Sequence, residues 1–264
     1  MNKRKFWGWG FSYQILSKEE EAGVENRIAQ NFGLSEIDAL PIPVAEEIDL
    51  NKPRVQIPNT LKGILSDDHL ERLNHAYGKS FPDVARAMLG QFPHPPDLIA
   101  FPENQEDVVN TLDWANKNNI AVIPYGGGSS VCGGVETDVD DSYSGVISLD
   151  LRNLNQVLEI DKESRAARIQ AGIFGPALEE ELKKSNLTLR HFPQSFEHST
   201  LGGWIATRSG GHYATLYTHI DDFVESTTMV TPTGVIESRR LPGSGAVSYT
   251  HLRAHETDSY VVSR

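Results

Sequence analysis

The feature that most constrains this chain is a run of three glycines, Gly126-Gly127-Gly128, set directly between a strand-like apolar stretch, Ile120 to Tyr125, and two hydroxyls, Ser129 and Ser130. Without a Cβ, glycine takes positive φ angles at little cost and lets the backbone approach a ligand closely. Successive N–H groups in such a turn form a concavity suited to phosphate oxygens. An ordinary tight turn would use the same glycines, so the loop alone decides little. The commoner nucleotide motifs do not fit: Val131 stands where G-x-G-x-x-G needs its third glycine, and no lysine follows as a phosphate loop requires.

The periodicity around the loop is mixed. From Asp97 onward, strand and helix signals alternate: Leu98 to Phe101, a helix capped by Asn104 with Asp107, Ile120 to Tyr125, Gly145 to Leu149, Val157 to Ile160, Ala166 to Ala171, and a helix from Pro176 to Lys184. A further helix starts near Ser199, and Phe223 to Val230 is expected to pair as a hairpin with Val235 to Glu237 across Thr231-Pro232-Thr233-Gly234. Residues 1–94 read differently. Ser17 and Glu20 form a capping-box pair for a polar helix that Gly33 can stop, and Pro41, Pro43, Pro53 and Pro58 mark an extended connection. Short helices are expected at Asp67 to His75 and Phe81 to Leu89, and Pro93, Pro95 and Pro96 mark a boundary.

Composition narrows the function classes. A net charge of −12, with 24 basic residues scattered among 36 acidic ones, argues against nucleic acid as a partner. One cysteine, Cys132, cannot form an internal disulfide, and no stretch approaches the roughly 20 apolar residues of a membrane-spanning helix. The N-terminus lacks the continuous apolar run of a signal peptide, so a cytoplasmic protein is expected.

A second informative segment, Gln194-Ser195-Phe196-Glu197-His198-Ser199-Thr200, leads into Leu201-Gly202-Gly203-Trp204 at a helix start, where free N–H groups and a partial positive charge favour an anionic or electron-rich group. Thr207-Arg208-Ser209-Gly210 follows one helix length later. In order and spacing, these three segments resemble the flavin domain of the alkyldihydroxyacetonephosphate synthase family and its bacterial FAD-binding oxidoreductase relatives. The resemblance extends through Ile147-Ser148-Leu149-Asp150, Ala171-Gly172-Ile173 and Met229-Val230-Thr231-Pro232-Thr233-Gly234, and covers roughly residues 95–243. Trp7-Gly8-Trp9-Gly10 and His75-Ala76-Tyr77-Gly78 resemble the family's N-terminal extension more weakly.

The resemblance implies an α+β fold of the PCMH (vanillyl-alcohol oxidase) type, with two α+β subdomains. It implies FAD held by Pro124, Tyr125, Gly126, Gly127, Gly128, Ser129 and Ser130, by Gln194, Ser195, Phe196, Glu197, His198, Ser199 and Thr200, and by Thr207, Arg208, Ser209 and Gly210. Relatives that tether FAD covalently often carry histidine right after the loop's paired glycines; Gly128 and Ser129 stand here, so noncovalent FAD is expected. Gly210-Gly211-His212 imitates the tethering motif in the wrong segment, and Gln194 stands where the synthases commonly carry aspartate. The implied reactions are exchange of an acyl chain for a fatty alcohol on a dihydroxyacetone phosphate ester or, in the alternative, dehydrogenation of a 2-hydroxy acid such as lactate or glycolate. A small or lipid-like substrate follows from either, and a homodimer is compatible with both.

Blander roles are expected for several residues. His191, His198, His212 and His219 lack a compact ligand pattern and read as solvated or hydrogen-bonded, which places a metal-dependent hydrolase last. Cys132 reads as a small buried filler, Trp114 and Trp204 as core, and Arg208 as either a cofactor contact or an ion-pair partner. The run Val247-Ser248-Tyr249-Thr250-His251-Leu252-Arg253-Ala254-His255-Glu256-Thr257 resembles a translated sequencing-library adapter, and the family resemblance stops at its edge. The expected division is therefore an N-terminal extension, 1–94, an incomplete FAD-binding domain, 95–246, and a non-native tail, 247–264. On that reading the family's catalytic residues lie beyond the truncation, and the polypeptide is expected to be an inactive cofactor-binding fragment of a flavoenzyme, prone to aggregate.

Overall fold

The computed structural model describes residues 3–37, 39–212, 214–217 and 219–238, so the expected tail lies outside the described residues. In the first ninety residues, helix α1 (Lys18–Phe32) carries the reciprocal Ser17–Glu20 capping box and ends at Gly33 with φ 65°. Its surface is almost wholly exposed, as its polar sequence requires. Two short helices, α2 (His69–Asn74), capped by Asp68, and α3 (Phe81–Met88), with a Ser80–Asp83 capping box, pack into a small core of Phe6, Leu73, Ala76, Tyr77, Ala87 and Phe92.

The central layer is a four-stranded sheet in the order β1-β2-β4-β3. Strands β2 (Leu98–Ala100), β4 (Gly145–Asp150) and β3 (Ile120–Tyr125) are mutually parallel; the crossover from β2 to β3 is helix α4 (Gln105–Lys117), capped by Asn104. Strand β4 is buried at all six positions because it lies between two partners and beneath the helix, which accounts for its apolar Val146, Ile147 and Leu149 and leaves Ser148 and Asp150 as buried polar groups. Val108 and Ala115 of α4 close on Leu98, Ile120, Ile147 and Leu149. The edge strand β1 (Leu65–Ser66), antiparallel to β2, comes from the region before Pro93; two residues are too few to show the period-2 alternation by which a strand is recognised in sequence.

A second, smaller unit contains the hairpin of β5 (Val157–Asp161) and β6 (Ala166–Ile169), helix α5 (Gly175–Lys183) and helix α6 (Leu201–Thr207). Ile173, Leu178, Leu182, Leu201, Trp204 and Ile220 form its core. A helical turn α7 (Ala214–Tyr217) precedes a second hairpin, β7 (Thr228–Thr231) with β8 (Gly234–Glu237). That hairpin has the predicted turn but a shorter first strand: Phe223 belongs to the 3-10 turn Ile220–Phe223, and pairing begins only at Thr228. The described chain is thus α+β in two units, and the glycine loop leaves β3 toward the second of them.

Candidate functional site

The loop begins where β3 ends. Tyr125, 6% exposed, anchors that end by donating its hydroxyl to the Asn74 carbonyl at 3.0 Å, while its backbone carbonyl accepts from Leu151 N–H. Burial pushes the Tyr125 phenol above its ordinary range, so it stays a neutral donor. Beneath it, fully buried His75 bonds through Nδ1 to the Glu71 carbonyl at 2.6 Å and through Nε2 to Asp150 at 2.8 Å. Burial works to raise the Asp150 carboxyl, but His75 and Arg152 outweigh it and hold the group below the ordinary carboxylate range. This network, absent from the sequence reading, fixes α2 to the end of β4 next to the loop.

The glycines are required by packing. A Cβ on Gly127 would stand 2.7 Å from the His198 carbonyl carbon, closer still to its oxygen, and 2.8 Å from Ser199 Cα. A Cβ on Gly126 would meet the Thr200 hydroxyl, and Gly128, at φ 66°, lies against the Tyr125 ring. The first two expected segments therefore meet: the loop is seated on the 3-10 turn Phe196–His198 and on Thr200. Among the described residues, the N–H groups of Gly127, Gly128, Ser129 and Ser130 donate to no protein acceptor. Four consecutive amides are thus unengaged among the described residues. The Ser130 hydroxyl accepts from Gly134 N–H at 3.0 Å and so shapes the following turn.

The second segment is mainly scaffolding. Ser195 and Ser199 exchange hydrogen bonds, buried Ser199 accepts from the Trp204 indole N–H at 2.6 Å, and Phe196 stacks on Trp204. Gln194 and Glu197 are exposed. Helix α6 does not offer the free N–H groups expected of its start: Leu201 and Gly202 donate to the Ile173 and Ala171 carbonyls, and Gly203 donates to the Thr200 hydroxyl at 3.3 Å. Close packing of Gly202 against Ala171 brings those carbonyls within reach.

The third segment stands at the opposite end of α6. Thr207 back-bonds to the Gly203 carbonyl, Arg208 caps the helix in the left-handed region at φ 52°, and its guanidinium pairs with buried Asp221. Ser209 bonds to His191 at 2.7 Å, while Thr207 and Gly210 are exposed. Trp204 is core and Trp114 packs against the sheet core, as expected. Cys132, in contrast, is exposed. The turn that Ser130 organises lifts it off the protein surface, whereas local sequence suggested a filler.

Residues near the N-terminus complete the surroundings. Arg4 donates to the Gly127 carbonyl, the Trp9 and Phe11 rings lie against His198 at 5.7 and 5.4 Å, and Lys79 N–H donates to the Ser130 carbonyl at 2.7 Å. Burial, and then Arg4, depress the His198 imidazole, keeping it neutral near pH 7. The Trp-Gly-Trp-Gly and His-Ala-Tyr-Gly motifs flank these positions, but their sequence said nothing of contact with the loop.

The sequence profile of a family described as an FAD binding domain matches residues 96–238. The chain is 40% identical over 230 residues to the alkyldihydroxyacetonephosphate synthase of Dictyostelium discoideum, covering 84% of this chain and 37% of that protein. It is 35% identical over 222 residues to the synthase of Trypanosoma brucei brucei, covering 81% and 35%. A solved alkyldihydroxyacetonephosphate synthase superposes with a TM-score of 0.80 at 34% identity, covering 92% of this chain and 51% of the other. The chain therefore spans between about a third and a half of these relatives' length. Since the profile takes in the loop, the turn it rests on and both units of the fold, the chain belongs to the FAD binding domain family and has its PCMH-type architecture.

Proposed function

We propose that Gly127 to Ser130 bind the diphosphate of FAD through their four unengaged amides, and that the chain is the flavin-binding part of an enzyme resembling alkyldihydroxyacetonephosphate synthase. The observation that carries this is the loop itself: the glycines allow a backbone path that side chains would block, and the amides it presents are unused inside the protein. The residues present fit the cofactor on that ground. Tyr125 and the His75–Asp150 pair hold the strand end, and Phe196 to Thr200 form the floor. Thr207 and Gly210, exposed at the far end of α6, would meet another part of the same extended cofactor.

When bound, FAD supplies a conjugated ring that accepts and returns an electron pair. The chain's own part is to bind and orient it, with Gly128 and Ser129 rather than a histidine after the paired glycines, which favours noncovalent attachment. Acyl-for-alkoxy exchange is favoured over hydroxy-acid oxidation because the similarity to the synthases takes in more than four-fifths of the chain and so includes residues before the flavin domain. A cytoplasmic setting agrees with the exposed, unpaired Cys132.

The test is equilibrium titration of the purified chain with FAD, followed by flavin fluorescence and competed with ADP. Saturable binding at one FAD per chain, displaced by ADP more readily than by adenosine, supports the assignment. Absence of saturable binding, or equal competition by the two, refutes it.

A further inference from the structure

The loop is held from behind by the Arg4 guanidinium and by the backbone N–H of Lys79, two residues that the flavin-domain profile does not include. Arg4 donates its guanidinium Nη1 to the Gly127 carbonyl and lies over the Phe174 ring at 4.4 Å. In a trans peptide the carbonyl and the N–H point to opposite sides of one plane. A hydrogen bond that fixes the Gly127 carbonyl on the Arg4 side therefore fixes the Gly128 N–H on the other side. Lys79 acts in the same way at the loop's end: its backbone N–H holds the Ser130 carbonyl at 2.7 Å, which turns the Val131 N–H away. Gly78 permits that approach, since a Cβ there would run into the Ser130 carbonyl. The Trp9 indole N–H, donated to the Lys79 carbonyl at 3.2 Å, ties the two holding segments together.

The charges point the same way as the hydrogen bonds. Among the described residues, no carboxylate lies within ion-pair distance of the Arg4 guanidinium or the Lys79 ammonium, although both side chains are partly buried. Burial, reinforced by Arg4, pushes Lys79 down to about 8, with Asp83 opposing the shift more weakly. Two partly buried cations without a direct ion-pair partner are a cost to the folded protein that an anion on the loop would relieve.

We infer that Arg4 and Lys79 are positioning residues for the diphosphate loop: the Arg4 guanidinium presets the Gly127–Gly128 peptide plane, the Lys79 backbone pins the end of the loop, and both side chains place positive charge behind the amides that receive the phosphates. The inference rests on the FAD reading and extends the site to residues outside the family match. Arg4 and Lys79 touch the loop rather than the cofactor, so their effect should fall on the phosphate-bearing part of the ligand.

The experiment compares wild type, Arg4→Gln, Arg4→Lys and Lys79→Met, with circular dichroism as the control for folding, and measures affinity for FAD, ADP and adenosine. Arg4→Gln is expected to weaken FAD and ADP binding about tenfold or more while leaving adenosine unchanged, since a charge-assisted hydrogen bond and a nearby charge are lost together. Arg4→Lys should recover part of that loss, and Lys79→Met should weaken ADP relative to adenosine with the fold intact. If wild type binds FAD and folded Arg4→Gln and Lys79→Met bind ADP and FAD as wild type does, the inference is overturned. If the variants weaken adenosine as much as ADP, the role is structural and the inference is likewise overturned. Failure of wild type to bind FAD would instead remove the cofactor reading beneath it.

Discussion

Gly127→Ala is the sharpest perturbation the geometry offers. The added methyl would stand 2.7 Å from the His198 carbonyl carbon, 2.8 Å from Ser199 Cα and closer still to the His198 carbonyl oxygen, so the loop and the turn must separate by about 0.8 Å for the carbons to reach ordinary contact of ~3.5 Å, and by more for the oxygen. Both opposing atoms are backbone, so no rotamer change relieves the overlap. Overpacking of this kind costs about 1–3 kcal/mol, and at about 2–4 °C per kcal/mol the melting temperature of the apoprotein should drop by roughly 2–12 °C. The loop is the softer partner, since its amides are unengaged, so the shift should also misalign the proposed phosphate donors and weaken FAD by about tenfold or more. Differential scanning fluorimetry and flavin titration measure the two effects. Gly23→Ala is the control: nothing lies within 4 Å of the new methyl, the site is inside α1, and alanine should be neutral or stabilising by about 0.5–1 kcal/mol. If Gly127→Ala keeps both the melting temperature and the FAD affinity of the parent, the packing argument is wrong.

His75→Ala should destabilise the fold by about 3–5 kcal/mol in denaturant unfolding, because the Asp150 carboxylate stays buried and loses its His75 bond; a change below about 1 kcal/mol would show that the pair is not structural. Asp150 is held below its unfolded value, so its contribution is complete above about pH 4 and lost as pH falls through the lower folded value; Asp150→Asn should flatten the acid limb of a stability-versus-pH curve in that window. Flavin bound to the chain should pass wholly into the supernatant on acid precipitation, whereas flavin retained in the pellet would mean a covalent link. Cys132 should take up one equivalent of iodoacetamide in the native protein, read by mass, and resistance to the reagent would contradict its exposed position.

Much of this fold could be read from local signals. The Asn104 cap, the Ser17–Glu20 box and the strand Ile120–Tyr125 are short-range devices, and each forms as its residues require. The glycine loop was legible for the same reason. What the sequence withheld depends on residues distant along the chain. The two-residue strand β1 exists because β2 offers it an edge, and His75 finds Asp150 across 75 positions. The start of α6 has the sequence of an anion site, but the Ala171 and Ile173 carbonyls take its first N–H groups, and Cys132 stands in a turn built on Ser130 that leaves it exposed. Arg4 and Lys79 carry no motif of their own; only packing brings them to the loop.

The central claim is that FAD sits on the amides of Gly127 to Ser130. Nuclear magnetic resonance of the chain labelled with 15N-glycine, titrated with FAD, tests it most directly because the 22 glycines report on the loop and on remote sites at once. The account predicts large, saturable shifts for Gly127 and Gly128, with Gly23 and Gly33 unmoved. Unchanged loop glycines in the presence of bound FAD would contradict it.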